Sequence, residues 1–163
     1  DVENLIEFGG FDPVSYAPLY SNSERKTKAN GVEFAADTKI EQINSVLYAS
    51  YTYYQHALDS IIPQQTAAAG IKTEITDALH VGLSATWVDS RESSDPVVDT
   101  LESYFLLDLY TNYQLNENVK LHARLENLLD DDYRLGDFSG EYGELNSVKG
   151  RGRGFYGGVT MTF

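Results

Sequence analysis

Apolar and polar positions alternate along the last fourteen residues of the chain, from Gly150 to Phe163. Side chains of a β-strand point alternately to opposite sides. One side of this segment therefore carries the apolar set Phe155, Gly157, Val159, Met161 and Phe163. The other side carries Tyr156, Gly158, Thr160 and Thr162. This pattern is typical of a strand that faces lipid on one side and a wet lumen on the other, as in an outer-membrane β-barrel.

Similar alternation recurs along the whole chain and predicts eight strands. The clearest is the seventh, in which Val119, Leu121, Ala123 and Leu125 alternate with Lys120, His122, Arg124 and Glu126. The predicted strands are Asp1–Phe8, Lys28–Asp37, Asn44–His56, Gln65–Ile75, His80–Asp89, Glu102–Leu115, Val119–Leu128 and Gly150–Phe163. Nothing in the pattern predicts a helix, so the fold class is all-β.

The lengths of the connections alternate as well. Thr38–Ile43, Thr76–Leu79 and Asn116–Asn118 are short, whereas Gly9–Lys26, Ala57–Gln64, Ser90–Thr100 and Asp130–Lys149 are longer. An up-and-down antiparallel barrel in an outer membrane has short periplasmic turns and longer outer loops. The order of the connections fits that architecture throughout.

Alternation alone also fits the packed interior of a soluble barrel. Two features favour the membrane. Aromatic residues lie near strand ends, as an interfacial girdle requires: Tyr53, Trp87, Tyr113, Phe155 and Phe163. The polar row of the seventh strand, Lys120, His122, Arg124 and Glu126, carries both signs of charge, which suits a lumenal surface.

Composition narrows the function further. The chain has 163 residues, 25 acidic against 12 basic, a net charge of −13 and no cysteine. The acidic balance argues against a nucleic-acid partner, and the lack of cysteine excludes disulfides and thiolate metal sites. No run reaches the ~18 apolar residues of a transmembrane helix.

The C-terminal motifs resemble those of TonB-dependent outer-membrane receptors. In that family the next-to-last strand runs into an Asn-Leu-Phe-Asp-x-x-Tyr-like motif, which is similar to Asn127–Tyr133, with Leu129 in place of Phe. Its last strand opens on Gly-Arg-aromatic, similar to Gly152–Phe155, and closes on Phe. Asp1–Phe8, Lys28–Glu33 and Ile62-Pro63 also resemble strand ends and openings of the family, and the cobalamin-receptor branch looks most similar.

The resemblance implies a 22-stranded transmembrane barrel with an N-terminal plug, of which residues 1–163 supply about the last eight strands. It also implies an integral outer-membrane location, with the remaining strands, the plug, the TonB complex, lipid and a small-molecule nutrient as partners. Phe163 would be the signal for barrel assembly. Because Asp1–Phe8 is shorter than a membrane crossing, we expect the chain to be part of a longer or split receptor.

Candidate chemistry is sparse, and no cofactor is predicted. His56, His80 and His122 lack metal-ligand spacing, and no nucleophile motif is present, so an enzyme is not expected. In the long loop before the last strand, Tyr133, Arg134, Phe138 and Tyr142 are candidate ligand contacts, because binding residues concentrate on loops over rigid scaffolds. The acidic residues of the same loop are either solvated or able to bind Ca²⁺: Asp130, Asp131, Asp132, Asp137, Glu141 and Glu144.

The expected function is therefore part of an active transporter for cobalamin or an iron chelate. Two alternatives stay open at this point. One is a self-contained eight-stranded outer-membrane barrel with a structural or adhesive role. The other is a soluble binding barrel of lipocalin type, whose apolar rows would face inward.

Overall fold

The structure of the chain is a computed structural model that describes residues 6–22, 28–56, 62–93, 100–139 and 145–163. Its strands are β1 Ile6–Phe11, β2 Pro18–Asn22, β3 Asn30–Ile40, β4 Ser45–His56, β5 Gln65–Thr76, β6 Leu79–Val88, β7 Arg91–Glu92, β8 Thr100–Leu101, β9 Tyr104–Asn116, β10 Val119–Glu126, β11 Arg134–Ser139, β12 Leu145–Lys149 and β13 Gly154–Met161. Glu41–Ile43 forms a single 3-10 turn, and the described residues contain no helix able to cross a membrane.

Seven of the strands form one antiparallel sheet in the order β13-β10-β9-β6-β5-β4-β3. Neighbouring strands of this sheet also follow one another in the chain, once the short strands β7, β8, β11 and β12 between them are left aside. This is the up-and-down order that the alternation predicted. The bounds of these seven strands agree with the last seven predicted strands to within about four residues, and the all-β class is confirmed.

Cross-strand register confirms the two faces. Leu83 pairs with Ile71 and Leu109, and Ala85 pairs with Ala69 and Leu107, so the apolar positions form continuous rows. We call the side that carries these residues the apolar face. The rows in between have their side chains on the opposite side of the sheet, which we call the polar face. One of these rows consists of Lys72, Gly82, Tyr110 and Arg124.

The two ends of the sheet differ in the length of their connections. At one end the strands are joined by tight turns at Glu41–Asn44, Asp77-Ala78 and Glu117-Asn118. At the other end the chain makes longer excursions after β4, β6 and β10. We call these the turn end and the loop end.

The segment before β3 and the excursions after β6 and β10 contain three small hairpins that the sequence did not predict. β1 pairs with β2, β7 with β8 and β11 with β12, each as a separate two-stranded sheet. The predicted connections Gly9–Lys26, Ser90–Thr100 and Asp130–Lys149 therefore contain short paired strands that the alternation did not indicate. The predicted first strand is also corrected in part, since Ile6–Phe8 belongs to the β1–β2 hairpin and not to the large sheet, while residues 1–5 lie outside the described part.

The tip of the β1–β2 hairpin is closed by Asp12. Its Oδ1 accepts hydrogen bonds from the backbone N–H groups of Val14 (3.0 Å) and Ser15 (2.7 Å) and from the Ser15 hydroxyl (2.9 Å). These bonds favour the ionised carboxylate, so they hold the pKa of Asp12 below its ordinary value.

Very little of the described chain is buried. Leu101 is its one buried hydrophobic residue, and the large apolar side chains of the sheet are exposed or half-buried, with Phe34 exposed by 60% and Val159 by 53%. A soluble barrel of lipocalin type would bury its apolar rows, so this structure does not support that alternative. In the described part β3 and β13 are edges, each paired on one side.

Candidate functional site

The motif Asn127–Tyr133 lies where β10 ends at the loop end. Asn127 is 3% exposed and has φ 49°, a left-handed conformation that Asn tolerates better than most residues. Its Nδ2 donates to the carbonyls of Asp131 (2.9 Å) and Arg151 (3.1 Å), and its Oδ1 accepts from the Asp131 N–H (2.9 Å). One side chain thus joins the motif to the segment that leads into β13.

Two of the three carboxylates of this motif, Asp130 and Asp131, make further hydrogen bonds to the backbone, and we call this group of contacts the Asn127 brace. Asp131 Oδ2 accepts from the backbone N–H of Phe105 in β9 (2.9 Å), and Asp130 Oδ1 accepts from that of Arg153 (2.9 Å). The N–H of Asn127 itself donates to Asp108 Oδ1 (2.9 Å). Backbone donors that strand pairing leaves free are therefore satisfied where β9, β10 and β13 meet the loop end.

These contacts change the interpretation of the acidic loop. Asp130 and Asp131 accept backbone hydrogen bonds, Asp132 lies 3.4 Å from Lys149 Nζ, and Asp137 lies 3.0 Å from Arg134 Nη1. Among the described residues no group of three or more His, Asp or Glu side chains is arranged to hold a metal ion. Glu141 and Glu144 lie outside that part.

The candidate ligand contacts occupy different positions in the β11–β12 excursion. Tyr133 stacks on Tyr104 of β9, with ring centroids 4.5 Å apart, and covers Gly150 at the base of the hairpin. Arg134 pairs with Asp137, whose side chain is 0% exposed and also accepts from the Ser147 hydroxyl (2.6 Å). Phe138 lies in β11, with only its backbone described, and Tyr142 lies outside the described residues.

Arg91 is a loop-end residue that the sequence pattern did not single out. Its Nη2 donates to the carbonyl of Leu135 (2.9 Å), which links the β7–β8 hairpin to β11. Its Nη1 is buried and has no hydrogen-bond partner within the described ranges. Nothing in the local sequence predicts this contact, because it joins residues 44 positions apart.

The predicted polar row of β10 lies on the polar face. Arg124 lies 3.5 Å from Asp108 and 3.1 Å from Glu126, and its own side chain is 56% exposed. His122 covers Gly158 of β13, and Lys120 is exposed. The mixed charges thus pair within the face around Arg124, as expected for polar groups that share one surface.

Two tyrosines lie flat on the polar face because the neighbouring strand offers a glycine. Tyr48 lies over Gly70, and Tyr110 lies over Gly82, where any Cβ would collide with the ring. Lys72 Nζ is 5.4 Å from the centroid of the Tyr48 ring. A concavity of about 490 Å³ is lined by Tyr48, Lys72, Ser84, Asp108, Tyr110 and Arg124. The sequence offers one signal for this group, since all its members fall on the polar side of the period-two pattern.

The chain terminus lies at the turn end. The N–H of Thr162 donates to the carbonyl of Asn118 (2.9 Å), and Asn118 Nδ2 donates to the carbonyl of Thr162 (2.7 Å). Phe163 follows this clamp with its side chain fully exposed. That exposure leaves the ring available to an assembly factor, which stays a prediction.

Comparison with known proteins agrees with this geometry. Residues 1–128, more than three quarters of the chain, match the family described as "TonB dependent receptor-like, beta-barrel". The chain belongs to this family of TonB-dependent receptor barrels. The family is one of the outer membrane, and its members are receptors and transporters.

Relatives of this receptor barrel segment include a vitamin B12 transporter of Vibrio vulnificus, 30% identical over 93 residues, which are 57% of this chain and 14% of that protein. A ferric enterobactin receptor structure from Pseudomonas aeruginosa has TM-score 0.76 and 22% identity, covering 99% of this chain and 27% of its own. The Escherichia coli ferric-catecholate import receptor Fiu in its open form has TM-score 0.67 and 23% identity, over 82% and 20%. The chain thus spans about a quarter or less of these proteins.

Proposed function

We propose that this receptor barrel segment is part of a TonB-dependent outer-membrane active transporter for cobalamin or an iron chelate. The observation that carries the proposal is the family match over residues 1–128, on a sheet whose two faces differ in chemistry. The named relatives point to the two substrate classes, since one is a vitamin B12 transporter and others are ferric siderophore receptors. No enzymatic step is assigned to the chain.

Each face and end of the sheet has a part in this proposal. The apolar face contacts lipid, and the polar face lines a lumen that holds the plug, through which the TonB complex acts. The edges of β3 and β13 pair with the remaining strands, since an unpaired edge in lipid is very costly. Phe163 is the proposed signal for barrel assembly.

The hairpins at the loop end are the proposed outer surface for the nutrient. Arg134, Phe138 and Tyr142 belong to the β11–β12 excursion and are proposed to contact it. Tyr133 is proposed to act from the base of the hairpin, where its ring stacks on Tyr104.

Uptake by the receptor that contains this chain tests the function. In a Gram-negative host that lacks its own cobalamin and siderophore receptors, we expect uptake of labelled cyanocobalamin or of a labelled ferric siderophore. Uptake should stop when TonB is deleted, because the plug is moved only by the energised complex. Equal uptake with and without TonB, or no uptake of either substrate by a correctly inserted receptor, would overturn the proposal.

The orientation of the sheet is tested separately by single cysteines, since the chain has none of its own. Val14→Cys lies at the tip of the β1–β2 hairpin, 87% exposed, and Asp77→Cys lies in a tight turn between β5 and β6. A membrane-impermeant maleimide added to intact cells should label Val14→Cys and leave Asp77→Cys unlabelled until the cells are broken. The reverse pattern would place the loop end in the periplasm.

A further inference from the structure

We propose that Lys39, Lys72 and Tyr110 form a carboxylate-binding site on the polar face of the sheet, near its turn end. This site is separate from the proposed nutrient-binding surface, because it lies near the turn end of the sheet and not at the loop end. Lys39, Val46, Lys72, Gly82 and Tyr110 form one cross-strand row from β3 to β9. The three donor residues of this row line one concavity of about 340 Å³.

Gly82 determines where the Tyr110 hydroxyl lies. Because Gly82 has no Cβ, the phenol ring of Tyr110 and its hydroxyl lie directly over Gly82 in β6. Lys72 of β5 is the direct cross-strand partner of Gly82. The Tyr110 oxygen is buried and has no hydrogen-bond partner in the described part of the chain. A buried hydroxyl without a partner is unfavourable, so an acceptor that enters the concavity would stabilise it.

The two lysines bring the positive charge. Within the described ranges neither Lys39 nor Lys72 lies in an ion pair, although the chain has 25 acidic residues against 12 basic ones. Their Cα atoms are two strand spacings apart, about 10 Å, which long lysine side chains can span from both sides. The centroid of the Tyr48 ring lies 5.4 Å from Lys72 Nζ, so this ring limits where the ammonium group can lie on the polar face.

The carboxylates already present on this face leave the lysines available. Asp108 pairs with Arg124 at 3.5 Å, and Glu74 lies 3.9 Å from His80 at the margin of the same concavity. Asp37 lies one row towards the loop end, opposite Tyr48. Two lysine side chains and one phenol hydroxyl therefore line a space whose described lining holds one carboxylate, Glu74, which lies near His80. The two oxygens of a further carboxylate suit these three donor residues.

A carboxylate could come from a polypeptide segment that fills the polar side of the sheet or from a free molecule. Lysine labelling distinguishes the two, because an ammonium held by a carboxylate reacts slowly with an acylating reagent. The complete receptor would be labelled with an amine-reactive ester, with and without acetate as the probe, and the rates at Lys72 and Lys120 compared by mass spectrometry. Lys120 is exposed on the same face and does not line the concavity.

We expect Lys72 to react several-fold more slowly than Lys120 without acetate if a polypeptide carboxylate occupies the site. If the source is free, Lys72 should match Lys120 until acetate is added and then slow down. In either case Tyr110→Phe should restore the rate at Lys72, whereas Tyr113→Phe, on the apolar face of the same strand, should not.

Equal rates at Lys72 and Lys120 under both conditions would overturn the proposal. Slow labelling that Tyr110→Phe leaves unchanged would do so too, because it would reflect poor access of the reagent alone. The readout is a labelling rate and not uptake, so failure of the transport experiment and failure of this one are separate results.

Discussion

The two faces of the seven-stranded sheet are built from the same strands and handle their side chains in opposite ways. On the apolar face the large side chains project outwards, with Phe34 exposed by 60% and Phe155 by 72%. On the polar face Tyr48 and Tyr110 lie flat over glycines, and Arg124 pairs with two carboxylates. The apolar face leaves its packing to the surroundings, whereas the polar face supplies much of its own.

This difference has a physical cause. Hydrocarbon can surround any apolar side chain without hydrogen bonds, so the apolar face needs only apolar surface. Polar groups lose hydrogen bonds with water when another body covers them, so each needs a partner within the wall or from that body. Substitutions that are harmless on one face should therefore be damaging on the other.

Arginine in the middle of β6 should have the largest effect. Leu83→Arg places a charge on the apolar face and should lower the free energy of unfolding of the receptor in lipid by about 2–4 kcal/mol. Ser84→Arg, the next residue on the polar face, is the matched control and should cost well under half of that. Urea unfolding in vesicles measures both. Equal losses would show that the two faces do not meet different surroundings.

At the loop end, hydrogen bonds of Asn127 join the end of β10 to the segment that leads into β13. Asn127→Ala removes three hydrogen bonds and leaves the carbonyls of Asp131 and Arg151 without their donor, so the free energy of unfolding should fall by about 2–3 kcal/mol. Asp132→Ala in the same motif should cost under about 1 kcal/mol, because its pair with Lys149 is exposed on both sides. A larger loss for Asp132→Ala would mean that the brace lies elsewhere.

Replacing a glycine by alanine adds the same methyl group to either face, so such substitutions compare how closely the two faces are packed. Gly82→Ala forces the Tyr110 ring off β6 and should destabilise the receptor by about 1–3 kcal/mol, as overpacking does. Gly157→Ala adds the same methyl group to the apolar face, where the nearest atoms are the His122 carbonyl oxygen at 3.8 Å and Phe155 Cζ at 3.9 Å. Its effect should be neutral or slightly stabilising. The thermal unfolding midpoints of the two variants, measured in the same detergent, test this difference.

The same contrast explains how much of the molecule the sequence could predict. Period-two alternation in segments such as Val119–Leu125 is a local signal, so it predicted the seven strands and the face of each residue. The tight turns followed from the same pattern. The placement of Tyr110 over Gly82 joins two strands, and no local rule predicts which glycine a ring will cover.

The loop end was predicted least well. Arg134–Ser139 and Leu145–Lys149 are too short to show clear alternation, and the first also carries a glycine and two charges, yet they pair as a hairpin. Asp130 and Asp131 resembled a solvated or Ca²⁺-binding run, because their backbone partners Arg153 and Phe105 lie more than twenty residues away. Only the resemblance of the motif to known receptors indicated that these residues have a fixed place.

The smallest predicted effect concerns the tip of the β1–β2 hairpin, which lies on neither face. Hydrogen bonds from the Ser15 backbone, the Ser15 hydroxyl and the Val14 backbone lower the pKa of Asp12, in that order of importance. A carboxyl group with a lowered folded pKa stabilises the turn above its unfolded pKa and loses that contribution as the pH falls through the folded value. NMR titration of the Asp12 carboxyl should give a midpoint below 3.8. Ser15→Ala removes the hydroxyl donor and should move the midpoint back up, and a midpoint at or above 3.8 in the unmodified chain would contradict the turn geometry.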